Sequence, residues 1–502
     1  MKHIKKILVA NRGEIAIRIM RTCREMDILS VAVFSEADRT SLHVRYADEA
    51  YYIGKAPSAE SYLNIEKIIE TAKACNADAI HPGYGFLSEN SQFAKRCEEE
   101  GILFIGPSPD VIDRMGDKIK ARETMKSAGI PVVPGTEGII DSEEEAFRAI
   151  REIGLPVMIK ASAGGGGKGM RLVHHEHEVA SAVRAARSEA KASFGNGSVY
   201  IEKYIVSPHH IEFQILGDKH GNAIHLFERE CSIQRRHQKM IEETPSPIMT
   251  PELRQKMGEA AVEAAKAVKY AGAGTIEFLV DNDLNYYFLE MNTRLQVEHP
   301  ITERVSGVDL VKQQIKIAEG NPLEITQDQL SIKGHSIECR IYAEDPDNNF
   351  MPSAGKIYKI SEPLGLGVRT DGYVYEGYEI PIHYDPMISK LIVWGGNRDE
   401  AIRRMRRALY EYKITGVKTS IKFLERIMNH PDFIEGKYNT HFIENNQGQL
   451  SAGTTCEDCE DMVLIAAYID YMDKLSQIQK NNNQGFAPAQ SRWKKINYIN
   501  NF

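Results

Sequence analysis

The chain has 502 residues, a length that predicts about three domains at roughly 150 residues each. Its 62 Lys and Arg residues against 70 Asp and Glu residues give a formal net charge of −8, which argues against a nucleic-acid-binding protein, because such proteins are basic overall or along one stripe. A hydrophobic fraction of 42% and a charged fraction of 26% are typical of folded globular chains, so extensive disorder is excluded.

Strand and helix signals alternate along residues 1–114. Short apolar runs at residues 6–10, 30–34 and 102–105 predict strands, and apolar periodicity predicts helices after Gly13, at 65–73 and at 91–100. This alternation predicts a parallel sheet with helices on both faces. The apolar run at 7–10 is too short for the ~7–15-residue core of a signal peptide, so it is assigned to the first strand.

From residue 115 to about 330 the pattern predicts a mixed α+β domain with antiparallel strand pairs. Its predicted strands and helices lie at residues 156–160, 170–174, 178–192 (helix), 199–205, 211–216, 223–228, 251–270 (helix), 275–280 and 285–290. A third domain is predicted over 331–445, with strands at 335–342 and 390–394 and a basic helix at 399–412.

The composition changes at about residue 446, which predicts a linker and a helical extension over residues 446–502. Its amphipathic helix spans about residues 457–478 and carries an apolar stripe formed by Met462, Ile465, Ala466, Ile469, Met472 and Leu475. The stripe either packs on the body of the protein or docks to a partner protein, because an apolar stripe is normally covered.

No apolar run approaches the ~18 residues of a transmembrane helix, so no membrane association is expected. The seven cysteines are an odd number scattered along the chain, which argues against a disulfide framework. A reducing compartment, and hence a cytoplasmic location, is the expectation.

A glycine run at residues 164–169 lies between two predicted strands. Glycines let the backbone approach phosphate oxygens and leave N–H groups available as donors. A strand rather than a helix follows, so the run is no dinucleotide fingerprint, and Lys168 precedes Gly169 rather than Ser or Thr, so it is no Walker A motif. The run is interpreted as a hairpin loop over a triphosphate, with a flexible surface turn as the alternative.

Glu277, Glu290 and Asn292 form a candidate site for a hard cation. A turn at 281–283 joins their two predicted strands, which makes Glu277 and Glu290 neighbours, and Glu290 and Asn292 share a face. Carboxylates and an amide oxygen suit Mg²⁺ in a phosphate site. A solvated strand face is the alternative, and it is weakened by the apolar residues around both carboxylates.

Arg294, Gln296 and Glu298 alternate along the sequence and would share one face of an extended segment. A carboxylate beside a guanidinium can hold a small oxyanion next to a base, although a surface salt bridge is an equal alternative. The basic segment 230–239 is interpreted as a further anion site, with a solvated charge run as its alternative.

Together these segments resemble the biotin carboxylase family of ATP-grasp enzymes over about residues 3–445. The matching segments are 7–15 (Ile-Leu-Val-Ala-Asn-Arg-Gly-Glu-Ile), 81–90, 115–118, 160–170, 235–239, 290–302 and 338–340. Ala163 and Lys168 depart from the pattern, since many relatives have Gly and Arg there. The resemblance implies an N-terminal Rossmann-like parallel-sheet domain, an ATP-grasp domain with a mobile glycine-rich lid at about 134–205, and a C-terminal mixed α+β domain.

The resemblance also implies a role for individual residues. It implies that ATP is bound by Lys118, Lys160, Gly166, Gly167, Glu202, Lys203, Tyr204, Ile205, His210 and His237. It implies that Mg²⁺ or Mn²⁺ is bound by Glu277, Glu290 and Asn292, and bicarbonate by Lys239, Arg294, Gln296 and Val297. Glu298 matches the catalytic base, Arg340 the arginine at the biotin ureido oxygen, and Tyr84 and Gly85 positions near biotin; Glu298, Arg294, Arg340 and Lys239 are the expected catalytic residues.

The activity implied is ATP-dependent carboxylation of biotin with bicarbonate, through carboxyphosphate. The sequence has no Met-Lys-Met segment, so biotin is expected on a separate biotin carboxyl carrier protein, with carboxyltransferase subunits supplied by other chains. A homodimer is expected, within an acetyl-CoA or propionyl-CoA carboxylase and thus in fatty acid biosynthesis. The alternatives are the biotin carboxylase component of a two-subunit pyruvate carboxylase and, less favoured, another ATP-grasp ligase.

Overall fold

A five-stranded parallel sheet forms the N-terminal part of the computed structural model, which describes residues 3–140, 142–162, 169–451, 465 and 467–472. The strands pair in the order β3-β2-β1-β4-β5, and every pairing is parallel. The strands and helices are β1 (Lys6–Val9), α1 (Gly13–Glu25), β2 (Leu29–Ser35), α2 (Leu42–Tyr46), β3 (Glu49–Gly54), α3 (Ile65–Ala74), β4 (Ala79–His81), α4 (Ser91–Glu99) and β5 (Leu103–Phe104). The predicted parallel sheet is confirmed.

Both faces of this sheet are covered because successive side chains of each strand point to opposite sides. On β1, Ile7 and Val9 pack into a core shared with Ile15 and Ile19 of α1. Leu8 points the other way, into a core with residues of α3 and α4. The continuous apolar run of β1 therefore satisfies two cores at once, as is typical of parallel strands buried on both faces.

A small antiparallel sheet forms the next part of the chain, in the region predicted as a lid. Helices α5 (Pro109–Gly116) and α6 (Lys118–Ser127) lead to it. Its elements are α7 (Glu143–Ile153), β6 (Val157–Ala161), β7 (Met170–Val173), α8 (Val179–Phe194) and β8 (Val199–Lys203), with strand order β7-β6-β8. The strand predicted at 199–205 ends two residues early, because left-handed Ser207 (φ 51°) and Pro208 turn the chain toward the next strand. The glycine run at 164–168 lies outside the described residues.

The central sheet is antiparallel, with strand order β13-β12-β9-β10-β11-β14-β21-β19. Its strands are β9 (His209–Gly217), β10 (Ala223–Arg235), β11 (Gln238–Thr244), β12 (Gly272–Val280), β13 (Tyr286–Asn292), β14 (His335–Tyr342), β19 (Val368–Gly372) and β21 (Met387–Gly395). The sheet continues from β11 into β14, across the predicted boundary near residue 330. The domain boundaries predicted from the sequence stay predictions.

Strand β10 is much longer than the predicted strand at 223–228. It continues to Arg235 because its second half pairs with β11, and a tight turn at Arg236 and His237 joins the two strands. Both turn residues have positive φ, 49° and 65°, as hairpin turns of this kind require. The basic segment 230–239 is therefore a β-hairpin rather than a solvated charge run.

Helices cover the central sheet, and short strand pairs lie beside its last strands. The helices are α9 (Pro251–Ala267), α10 (His299–Ser306), α11 (Leu310–Glu319), α12 (Arg398–Glu411), α13 (Ile421–Asn429), α14 (Pro431–Ile434), α15 (Phe442–Asn445) and α16 (Gln447–Leu450). The short strands are β15 (Glu344–Asp345), β16 (Met351–Pro352), β17 (Gly355–Lys356), β18 (Lys359–Ser361), β20 (Glu379–Ile380) and β22 (Lys413–Thr415). Residues 1–450 form one compact unit, which ends with buried Leu450.

Residues 451–502 form a second unit. Residues 465 and 467–472 are helical, and Ile465, Ile469 and Met472 of the predicted apolar stripe are exposed. Met462, Ala466 and Leu475 lie outside the described residues. None of the helices in the described part of the chain has the length and apolar composition that crossing a bilayer requires.

Candidate active site

Three carboxylates lie side by side on the first three strands at one edge of the central sheet. In register, Glu277 of β12 is paired with Glu212 of β9 on one side and with Glu290 of β13 on the other. The sheet thus brings Glu277 and Glu290 together as the sequence predicts, and adds Glu212. Adjacent carboxylates repel each other unless cations lie between them, so this row requires positive charge nearby.

Lys239 supplies that charge from β11. Its Nζ lies 2.5 Å from Glu212 Oε2, 2.9 Å from Glu277 Oε1 and 2.7 Å from Glu298 Oε1. Burial alone would lower the pKa of this ammonium, but the three carboxylates raise the pKa well above its ordinary value. Lys239 is therefore a permanent cation with all three of its N–H groups in use.

Glu298 lies between two cations. One carboxylate oxygen faces Lys239, and Oε2 accepts a hydrogen bond of 2.8 Å from Arg340 Nη2. Burial opposes ionisation, yet Lys239 and Arg340 hold the pKa of Glu298 well below its ordinary value. Arg340 is itself fixed by a 2.6 Å hydrogen bond from Nε to Glu242 Oε1. The result is a buried chain of alternating charges.

The segment that carries Glu298 is not extended. Residues 293–298 contain a bend and a turn that lead into α10, so the extended segment on which Arg294, Gln296 and Glu298 would share one face is not formed. Pro300 occupies the first turn of α10, where proline is suited because its fixed φ matches the helix. The irregular segment therefore ends at the start of α10. Hydrogen bonding, rather than strand alternation, directs these side chains.

The guanidinium beside Glu298 comes from Arg340 rather than from Arg294. Arg294 Nε donates to Glu89 Oε2 at 2.9 Å, and Nη2 donates to Asn292 Oδ1 at 3.0 Å. Gln296 Nε2 donates to Glu277 Oε1 at 2.7 Å. Arg294 and Gln296 thus flank the carboxylate row. The carboxylate–guanidinium pair expected between Glu298 and Arg294 is formed instead by Glu298 and Arg340.

The two predicted metal carboxylates differ in their surroundings. Glu277 is surrounded by donors, since Oε1 also accepts from Asn292 Nδ2 at 2.9 Å and Oε2 lies 2.9 Å from His210 Nε2. Among the described residues, the carboxylate of Glu290 has neither a hydrogen bond nor an ion pair, and burial together with the charge of Glu277 raises its pKa. A carboxylate pair with one member short of positive charge fits a divalent cation. The amide oxygen of Asn292 is engaged by Arg294.

A cavity of about 230 Å³ opens beside the carboxylate row, between the small sheet and the central sheet. Apolar walls from Met158, Leu279 and Leu289 face polar groups, as a planar base with hydrogen-bonding edges requires. Seven of the residues expected at a nucleotide line it: Lys160, Glu202, Lys203, Tyr204, Ile205, His210 and His237.

Hydrogen bonds fix the polar groups of this nucleotide cavity. Lys160 Nζ donates to Glu202 Oε2 at 2.6 Å, and Tyr204 Oη lies 3.0 Å from His441 Nε2. Lys118 lies outside the lining, at the first residue of α6, where burial lowers its pKa while Glu290 opposes that shift. Gly166 and Gly167 lie outside the described residues.

A second cavity of about 490 Å³ is lined in part by Arg340. Tyr84, Gly85 and Arg340, the residues expected at biotin, line it together with Arg294 and Val297, which were expected at bicarbonate. Tyr84 donates a hydrogen bond from its hydroxyl to Glu14, and this carboxylate is paired with Lys390. Glu298 and Arg340 therefore lie between this cavity and the carboxylate row.

Four buried residues of the site went unpredicted: Glu14, Glu212, Glu242 and Lys390. A signal existed for Glu212, because His210, Glu212 and Gln214 alternate with the apolar residues Ile211, Phe213 and Ile215 and so point to one face. Glu338 and Arg340 alternate in the same way on β14, opposite Glu242. Glu14 and Lys390 are isolated in the sequence, and only the tertiary fold brings them together.

Comparisons with known proteins cover nearly all of the compact unit. Three family models match in succession: "Biotin carboxylase, N-terminal domain" over residues 3–112, "Carbamoyl-phosphate synthase L chain, ATP binding domain" over 117–326, and "Biotin carboxylase C-terminal domain" over 338–445. A crystal structure of the biotin carboxylase domain dimer of Hydrogenobacter thermophilus 2-oxoglutarate carboxylase, with MgADP, ADP and bicarbonate, is 51% identical, with a TM-score of 0.87, and the match covers 90% of this chain and 100% of that one.

Curated relatives differ in the carboxylase to which they belong. Biotin carboxylase of Nostoc sp. is 58% identical over 439 residues, which cover 88% of this chain and 98% of the relative. A pyruvate carboxylase subunit of Methanothermobacter thermautotrophicus is 58% identical over 447 residues, which cover 89% of this chain and 91% of the relative. The alpha chain of mouse mitochondrial methylcrotonoyl-CoA carboxylase is 49% identical over 504 aligned positions, which cover 99% of this chain and 70% of the relative.

Proposed function

Since the chain belongs to the biotin carboxylase family of ATP-dependent ligases, we propose that it carboxylates the biotin of a separate carrier protein, with bicarbonate as the carbon source. The observation that carries the proposal is the position of Glu298, held by Lys239 and Arg340 between the carboxylate row and the second cavity. A base in this position can serve a reaction that begins at a nucleotide and ends at biotin.

The first step forms carboxyphosphate from ATP and bicarbonate. A bicarbonate oxygen attacks the γ-phosphorus of ATP, the bond to the β-phosphate oxygen breaks, and ADP leaves. Glu298 takes the bicarbonate proton. An anion bound among Lys239, Arg294 and Gln296 competes with Glu298 for positive charge, so its arrival raises the pKa of Glu298 toward the range of a useful base.

Charge neutralisation governs the phosphoryl transfer. Glu277 and Glu290 would hold Mg²⁺ or Mn²⁺, and Asn292 would join them once its oxygen leaves Arg294. The cation neutralises charge on the phosphates while the transfer occurs. Lys160 and Lys118 supply further positive charge, with the adenine expected against the 202–205 segment of the nucleotide cavity.

The second step carboxylates biotin. Carboxyphosphate breaks down to CO₂ and phosphate, the phosphate takes the proton of biotin N1′, and N1′ forms a bond to CO₂. Negative charge develops on the ureido oxygen of biotin, and Arg340 is suited to stabilise it because a guanidinium stays protonated at any working pH. Tyr84 and Gly85 would contact the biotin ring system in the same cavity.

The finer assignment is the biotin carboxylase component of an acyl-CoA carboxylase, in the cytoplasm, acting with a biotin carboxyl carrier protein and carboxyltransferase subunits. The methylcrotonoyl-CoA carboxylase relative supports an acyl-CoA acceptor, because its similarity extends over 99% of this chain. The dimeric H. thermophilus structure supports a homodimer. The 58% identical relative from a pyruvate carboxylase favours pyruvate as the second candidate.

The test measures ADP release with free biotin and bicarbonate, and compares the wild type with Glu298→Gln. We expect release that requires bicarbonate, rises with biotin and falls about 10²-fold or more in the variant. Release indifferent to biotin would overturn the proposal. The acceptor is then decided by supplying purified carrier and transferase proteins with acetyl-CoA, propionyl-CoA or pyruvate, and following labelled bicarbonate into the product.

A further inference from the structure

Arg229 of β10 is fully buried, and every N–H of its guanidinium has an acceptor. Nε donates to Glu212 Oε1 at 2.5 Å; Nη1 donates to Gln214 Oε1 at 2.7 Å and Thr302 Oγ1 at 2.9 Å; Nη2 donates to Gln296 Oε1 at 2.7 Å and Thr275 Oγ1 at 3.1 Å. A guanidinium carries five N–H groups, so none is left for a substrate. Arg229 therefore belongs to the interior.

The contact with Gln296 determines which way this amide faces. Because Oε1 accepts from Arg229, Nε2 is directed at Glu277 Oε1, 2.7 Å away. A flipped amide would set N–H groups against the guanidinium and an oxygen against the carboxylate, and both contacts repel. Arg229 therefore presents the amide N–H groups of Gln296 to the side of the carboxylate row.

The contact with Glu212 determines how Lys239 is shared. One oxygen of Glu212 is bound by Arg229 and the other lies 2.5 Å from Lys239. With Arg229 in place, Glu212 divides its charge between two cations. Without it, Glu212 would draw Lys239 toward itself and away from Glu298, which lies 2.7 Å on the other side of the ammonium.

We infer that Arg229 is a positioning residue for bicarbonate, acting through Gln296 and Lys239 without contacting the substrate. The inference rests on the proposed function of these two residues. Only arginine suits the position, because a lysine offers three donors from one point instead of five in a rigid fork. Its loss should weaken bicarbonate binding selectively, since none of its five partners lines the nucleotide cavity.

The experiment measures KM for bicarbonate, KM for ATP and kcat for ADP release in Arg229→Lys, with Arg254→Lys as the matched control. Arg254 also makes a two-bond contact with a buried carboxylate, that of Glu228, with both bonds at 2.8 Å, but it lies away from the site. In Arg229→Lys we expect KM for bicarbonate to rise about tenfold or more, with KM for ATP within about twofold of the wild type. Arg254→Lys should change neither constant.

Several outcomes would overturn the inference. An unchanged KM for bicarbonate in Arg229→Lys would contradict it. An equal rise in KM for bicarbonate and KM for ATP would also contradict it, because a general loosening of the fold would affect both substrates alike. If Arg229→Lys does not fold, Thr302→Val removes a single acceptor and should still raise KM for bicarbonate about two- to threefold; no change there also overturns it. Failure of the proposed function is distinct, because the wild type itself would then release ADP without needing bicarbonate.

Discussion

The ammonium of Lys390 lies 3.2 Å from the carboxylate of Glu14, and both side chains are buried. This pair joins α1 to β21, and Lys390 also donates to the carbonyl oxygen of Val297 at 2.8 Å. Glu14 in turn accepts the hydroxyl of Tyr84. Three segments that line the second cavity therefore meet at one ion pair.

We expect Lys390→Met to lower the free energy of unfolding by about 3–5 kcal/mol, because Glu14 is left buried without its cation. The double variant Glu14→Gln/Lys390→Met should recover more than half of the loss. Urea unfolding of the four proteins in the cycle measures both. Independent, additive losses in the double variant would show that the two groups do not interact.

The loss of stability in the single variant Lys390→Met should depend on pH. Burial raises the pKa of Glu14 to about 7 even though Lys390 opposes the shift. Without Lys390 the pKa rises further, so the folded state holds a proton that the unfolded chain loses above about pH 4.5. The destabilisation caused by Lys390→Met should therefore be larger at about pH 8 than at about pH 6. A pH-independent loss would contradict this assignment.

Arg340→Ala should separate the two partial reactions. The variant loses the guanidinium proposed for the biotin oxygen, while Lys239 still neutralises Glu298. We expect carboxylation of free biotin to fall about 10²-fold or more, with part of the bicarbonate-dependent ADP release retained. Parallel assays of carboxybiotin and ADP test this, and equal losses of both would argue that Arg340 serves the first step as well.

Glu290→Gln should raise the Mg²⁺ concentration that gives half-maximal ADP release by about tenfold or more, since the carboxylate short of positive charge is the one available to a cation. Titrations at fixed ATP, with Mg²⁺ and separately with Mn²⁺, measure the change. Glu444→Gln serves as the control, because Glu444 lines the nucleotide cavity away from the carboxylate row. An equal response of the two variants would contradict the assignment.

Glu243 makes the stability of the folded protein depend on pH in the acidic range. Although burial opposes ionisation, the contacts with His335 (2.6 Å) and Arg398 (2.8 Å) lower its pKa to about 2. A lowered carboxyl pKa contributes stability above about pH 4.5 that is lost as pH falls toward 2, about 3 kcal/mol in all. The difference in unfolding free energy between the wild type and Glu243→Gln should shrink over this range. A constant difference would contradict the prediction.

The sequence does not predict the strand order of any of the sheets, yet it predicts most elements and most site residues. Periodicity finds β14 without error, since its eight residues are apolar or alternate clearly. It misses the second half of β10, because residues 229–235 are mostly polar or charged, and pairing with β11 makes them a strand. Charges buried inside a sheet look like surface charges until their partners are known.

The same limit applies to the site. Glu277 and Glu290 are joined by a short turn, so their proximity can be predicted from spacing alone. The pairing of Glu298 with Arg340 spans 42 residues, and that of Glu14 with Lys390 spans most of the chain. No local pattern encodes such contacts. The family resemblance supplied Arg340, whereas Glu14 and Lys390 required the fold.

The passage of the central sheet from β11 into β14 has a consequence for how the reaction is organised. Lys239 and Arg340 stand on adjacent hydrogen-bonded strands, whose spacing is about 4.8 Å. In the proposed mechanism, carboxyphosphate forms beside the first strand and breaks down next to the second cavity, beside the second strand. In that mechanism a short-lived intermediate crosses only about one strand spacing between the two partial reactions.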